Sequence, residues 1–150
     1  MFFVKTCGAY CICSTHYYIR HINSNGLDNP NLSAYKSGHS TETALLSIKN
    51  DLSLSRSEST ALVLLDLSAA FDTIAHTTLV YDLKSWFGVC GSALEWSISY
   101  LSDRHQSVKI GSTLSNFHKL VVGIPHGSVL RPILFSLYIT PLNKRGPAFC

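Results

Sequence analysis

The apolar run Ala61-Leu62-Val63-Leu64-Leu65 constrains this chain more than any other stretch. It is continuous, of strand length, and set between a polar, serine-rich stretch at 53–60 and a carboxylate, Asp66. A run without alternation offers no face to water, so the pattern predicts a strand over 61–65 that is buried on both faces. Asp66 then falls at the end of that strand. A charge there is costly unless it lies at an edge, is paired, or holds a cation.

The segments around the run read mostly as helices. Ala44, Leu45, Ile48 and Leu52 recur at helical spacing after Ser40-Thr41-Glu42, which predicts a helix over 41–53. Thr77 is positioned to cap a helix that carries Leu79, Leu83, Trp86 and Phe87 and stops at Gly88. Ser92 with Glu95 spells an S-x-x-E capping box, and Leu94, Ile98 and Leu101 give that helix its apolar stripe. Gln106, Val108 and Ile110 alternate with polar neighbours, so 105–110 reads as a strand turning at Gly111-Ser112 toward a second one that ends at Val121-Val122. Ser128 can cap a helix through residue 139, with Pro132 tolerated because it falls near the first turn. From Met1 to about His21 the sequence shows no clear period, and Asn23-Ser24-Asn25-Gly26 with Asp28-Asn29-Pro30 then reads as turn or loop chemistry. The sum is a mixed α/β or α+β chain.

Composition narrows the class. The 150 residues are about one domain's worth. Charged residues make up 14% and hydrophobic ones 46%, against a usual charged fraction of about 25%, which excludes disorder driven by polarity. A complete small domain usually covers itself with more charge, so this chain also reads as a piece of something larger. Twelve Lys+Arg against nine Asp+Glu leave +3, which permits a polyanionic partner without indicating one. Five cysteines, an odd number with three at Cys7, Cys11 and Cys13, do not suggest a paired disulfide framework. With His16 and His21 they spell C-x3-C-x-C-x2-H-x4-H, which lacks the CxxC knuckles of a strong zinc signature. Met1 to Val4 is too short for a signal peptide, and no run reaches the roughly 18 apolar residues of a membrane span. An intracellular protein without a membrane partner is expected, in nucleus or cytoplasm. The chain contains no GxxxxGK[ST], GxGxxG, GxSxG or HExxH.

Three places could carry chemistry. Asp66 and Asp72 are hard oxygen donors of the kind Mg²⁺ takes, usually one or two from protein and the rest from water and phosphate. Spacing alone favours the plainer assignment, Asp66 as an edge residue and Asp72 as the N-cap before the 77–87 helix. Gly123-Ile124-Pro125-His126-Gly127-Ser128 is a turn feeding a helix N-terminus, which either faces a phosphate or nucleobase edge or is an ordinary capped turn. Ser37-Gly38-His39-Ser40-Thr41 beside Lys36 is likewise a helix cap or an anion-facing turn.

Three segments in fixed order resemble the reverse transcriptase of LINE-type (non-LTR) retrotransposons. Residues 33–46, SAYKSGHSTETALL, are similar to its fingers segment, 62–73, LVLLDLSAAFDT, to palm motif A, and 123–135, GIPHGSVLRPILF, to motif B. Tyr100-Leu101-Ser102-Asp103-Arg104 and Gln106-Ser107-Val108 match the linking helix and strand, and the likeness runs from about Ile19 to Leu142. It implies an α+β fold, part of the fingers and palm of a right-hand polymerase, over 31–142, between an ill-defined segment at 1–30 and a tail at 143–150. The implied reaction is RNA-directed DNA synthesis with Mg²⁺, deoxynucleoside triphosphates, an RNA template and a DNA primer.

The resemblance also implies roles. Asp66 matches the catalytic Mg²⁺ ligand of motif A, and Phe71 the bulky residue that excludes a 2′-hydroxyl beneath the incoming sugar. Gly123, Pro125, His126, Gly127 and Ser128 match the surface against the nascent base pair, Lys36 matches a fingers arginine, and Asp72 a position of structural role. Two departures in motif B change the chemistry: His126 stands for a glutamine and Arg131 for a glycine. Motif C, Y-A-D-D, does not occur in the 150 residues, nor does a thumb. Two-metal chemistry draws carboxylates from both motifs, so this chain alone is expected to be inactive. The alternatives are a non-catalytic remnant that binds nucleic acid or protein, or a decayed copy with no selected function.

Overall fold

Ser40 opens its helix as the sequence implies. In the computed structural model, which describes residues 8–55 and 60–145, its hydroxyl accepts from Thr43 N at 3.2 Å. Thr43 Oγ1 returns the bond to Ser40 N at 2.9 Å, a reciprocal cap at the start of helix α2, Thr41–Leu54. The described residues form two units, one of residues up to Asp28 and from Ala69 onward, the other Asn29–Ser68. Helix α2 belongs to the second unit and buries none of its residues, with Leu45 and Leu46 both exposed.

The strand expected over 61–65 is not formed. Residues 60–66 have no regular structure, and Leu64 and Leu65 stand 78% and 89% exposed. A strand exists through the ladder it shares with a neighbour, and among the described residues no strand pairs with this run. Apolarity supplied the wish for burial but not the partner. Asp66 therefore sits on an exposed, irregular segment and not at a strand mouth.

In the other unit, helix α1 (Gly8–Ser24) fills a stretch with no legible period. Its Tyr18 is 2% exposed and bonds to Ser97, whose hydroxyl donates to Ala93 O at 2.6 Å and so accepts from the phenol. Helix α3 (His76–Ser85) buries Leu79 and Leu83, and Gly88 at φ +63° takes the left-handed conformation that ends such helices. Thr77 is not its cap. The preceding residue is Ala75, without a side-chain cap, because a bridge from Ala75 to Val122 places the helix start. Helix α4 (Gly91–Leu101) follows Cys90, so Ser92 lies inside the first turn and the expected capping box is not made. Its buried face carries Ser97, Tyr100 and Leu101, while Ile98 is exposed.

The strand expected at 105–110 divides in two. Strand β1 (Arg104–Gln106) pairs antiparallel with β4 (His118–Leu120), and β2 (Lys109–Ile110) pairs with β3 (Thr113–Leu114) across Gly111-Ser112. These are two separate two-stranded ladders and not one palm sheet. Helix α5 (Arg131–Arg145) starts after Ser128, whose hydroxyl accepts from Leu130 N at 3.2 Å, and carries Pro132 in its first turn. It continues past the expected end at 139 and through Pro141. Helices α1, α3, α4 and α5 enclose the core, in which Ile74, Leu79, Leu83, Val89 and Leu130 are fully buried.

Candidate functional site

Two turns, 69–75 and 122–128, are pinned backbone to backbone. Gly123 N donates to Ile74 O at 2.8 Å and Ile124 N to Phe71 O at 3.1 Å. His76 Nε2 donates to Gly123 O at 2.7 Å. Gly123 adopts φ +84°, and a Cβ there would lie 3.0 Å from Asp72 O and 3.2 Å from its Cα. Both the conformation and the close approach demand glycine. The first turn is itself closed by Asp72 N to Ala69 O at 2.8 Å. Ser128 is held from two sides, since Tyr100 Oη donates to it at 2.6 Å while it caps the turn before α5.

At this junction Asp72 meets His126 and Arg131, the two motif B departures that change the chemistry. Arg131 Nη2 donates to Asp72 Oδ1 at 2.6 Å, and His126 Nε2 lies 3.3 Å from the same oxygen. Arg131 Nη1 bonds to His126 Nδ1. An arginine only donates, so Nδ1 accepts and the ring proton sits on Nε2, toward Asp72. Asp72, weighed from sequence as a helix N-cap, is instead an ion-pair partner. The Arg131 guanidinium also lies over Phe71, 4.7 Å from the ring centroid, and Phe135 meets that ring at 4.7 Å and 46°. Arg131 Nε is buried with no hydrogen-bond partner among the described residues.

Of the residues the resemblance implies, the structure thus brings together Phe71, Gly123, Pro125, His126, Gly127 and Ser128 within one unit. Asp66 and Lys36 belong to the 29–68 unit. There Lys36 Nζ donates to Asn29 O, and Asp66 is exposed. Among the described residues no three His, Cys, Asp or Glu side chains converge on a metal position. Asp66 suits Mg²⁺ as one hard donor, but Asp72 is engaged by Arg131 and His126, so the described carboxylates do not complete a Mg²⁺ site. For zinc, Cys13 is a free thiol and His21 Nε2 donates to Phe87 O at 2.6 Å, while Cys7 and the Cys11 side chain lie outside the described residues. No helix among the described residues is long and apolar enough to cross a membrane.

Sequence reasoning treated Arg131 as a departure only. The signal that could have found its partner was a bulky cation in a glycine position, which needs an acid nearby. That acid lies 59 residues away along the chain.

Residues 13–147 match the family model described as reverse transcriptase (RNA-dependent DNA polymerase). Similar proteins include the probable RNA-directed DNA polymerase from transposon X-element of Drosophila melanogaster, 35% identical over 79 residues, which is 49% of this chain and 8% of that protein. The Pol polyprotein from type-1 retrotransposable element R2 of Popillia japonica is 27% identical over 57% of this chain and 14% of its own length. The RNA-directed DNA polymerase from mobile element jockey of Drosophila melanogaster is 31% identical over 55% of this chain and 9% of its length. The chain thus spans a small fraction of the curated relatives it matches, and no solved structure matches it.

Proposed function

The chain belongs to the reverse transcriptase family, and from that premise we propose that it forms part of the nucleotide- and template-facing surface of a non-LTR retrotransposon RNA-directed DNA polymerase. The observation that carries this reading is the junction of the 69–75 and 122–128 turns, where Phe71 and the Gly123–Ser128 backbone are held in one rigid piece. Phe71 is the sugar-facing ring, and residues 123–128 lie against the base pair. Residues 33–54 with Lys36 are fingers, and helices α3 to α5 are palm. Asp66 would supply one hard oxygen donor to a divalent ion, whose chemistry there would be activation of an attacking hydroxyl. Partners are an RNA template, a DNA primer and deoxynucleotides, met inside the cell.

The 150 residues alone do not polymerise in this reading, because two-ion chemistry needs more carboxylates than Asp66. Primer extension on an RNA template with Mg²⁺ and deoxynucleotides is expected to give no product. Mg²⁺-dependent incorporation that is lost in Asp66→Ala overturns that expectation. Binding of an RNA–DNA hybrid tests the surface itself: affinity is expected at low salt and falls steeply as salt rises. No binding at low salt refutes the reading.

A further inference from the structure

Building on the role proposed for Phe71, we infer that Arg131 is a latch on that ring, a specificity-determining residue that a nucleotide sugar must displace before it can pack there. His126 and Arg131, which stand for a glutamine and a glycine of motif B, converge on one acceptor, Asp72 Oδ1, beside Phe71. Arg131 is held there through two different contacts, the 2.6 Å ion pair and the guanidinium face on the ring at 4.7 Å. Its side chain is 15% exposed against 49% for Asp72, so the cation lies inward and the acid at the rim. Phe135 occupies a further part of the ring's surroundings at 4.7 Å. Among the described residues the buried Nε has no hydrogen-bond partner, so this placement is sustained by Asp72, His126 and Phe71 against an unmet donor. A glycine at 131, as the family writes, removes the guanidinium from the ring. The sugar and the guanidinium compete for the same surface.

Charge makes the test sharp. Removing a cation ordinarily weakens the binding of a triphosphate, whereas removing a latch strengthens it. Equilibrium dialysis of dATP and of ATP, each with Mg²⁺, is carried out on the full 150-residue chain, on Arg131→Gly and on Arg131→Gln. The glutamine variant keeps a helix-compatible stem if glycine loosens α5. Both variants are expected to bind dATP roughly tenfold more tightly than the wild type, the combined strength of one partly exposed ion pair and one cation–π contact. The preference for dATP over ATP is expected to widen and to vanish when Phe71→Ala is added. Weaker or unchanged dATP binding in Arg131→Gln overturns the latch. A deoxy preference that is already present in the wild type and unmoved by both variants overturns the latch alone. Equal binding of dATP and ATP by every protein overturns the role of Phe71 and the latch with it.

Discussion

Replacing Gly123 by alanine should cost about 2–4 kcal/mol, well above the usual effect of adding one methyl group. The backbone at 123 stands at φ +84°, where an L side chain is strained by roughly 1–2 kcal/mol. The new Cβ also meets backbone, namely Asp72 O at 3.0 Å, Cα at 3.2 Å and C at 3.3 Å, none of which can swing aside as a side-chain tip would. Relief requires the two turns to part. That stretches the bonds Gly123 N to Ile74 O and Ile124 N to Phe71 O, each worth about 0.5–1.5 kcal/mol. Gly127 is the internal control, because its φ of +73° is similarly strained while a Cβ there meets nothing within 4 Å. Gly127→Ala should therefore lose only the conformational part, about 1–2 kcal/mol. Urea unfolding followed by tryptophan fluorescence reads the difference. With an m-value of about 2 kcal/mol/M, Gly123→Ala should lower the midpoint by about 1–2 M and Gly127→Ala by about 0.5–1 M. Equal midpoint shifts for the two variants refute the close-approach reasoning.

Burial raises the Tyr18 phenol above its ordinary value, only partly offset by its bond to Ser97. The unfolded chain then releases that proton first, so its contribution to stability is fully present below about pH 10 and is lost as pH rises beyond it. Thermal melts between pH 8 and 11 should show a decline that is shallower in Tyr18→Phe; identical slopes refute it. Leu65→Ser, at an exposed position, should change stability by no more than about 0.5 kcal/mol, whereas Leu79→Ala, fully buried, should cost about 2–5 kcal/mol. Comparable losses in urea titrations would show that the 61–65 run is buried after all.

Local chemistry was legible wherever a short-range rule operates without competition. The Ser40 cap, the Gly88 stop and the buried positions Leu79, Leu83 and Leu101 follow from spacing and capping preferences, whereas Ser128 closes a turn onto Leu130 N just before α5 instead of capping the helix itself. Those rules failed where a distant contact outbid them. Thr77 and Ser92 have the chemistry of caps, yet the chain enters α3 at the point set by the Ala75–Val122 bridge and enters α4 at Cys90. Helix α1 escaped notice because, among its described side chains, only Tyr18 is fully buried, and its hydrogen-bond partner is a serine 79 residues later.

Within the 150 letters lie the order and spacing of the three motifs, and with them the family, since these are properties of the covalent chain. The junction of the Phe71 and Gly123 turns is different in kind. Its bonds, the meeting of Asp72 with His126 and Arg131, and the guanidinium over Phe71 join residues about 50 to 60 positions apart. Closing loops of that length is unfavourable until core burial around Ile74, Ile124 and Leu130 offsets it. The same physics governs the 61–65 run: apolarity can ask for a strand, but hydrogen bonds from another strand are what make one.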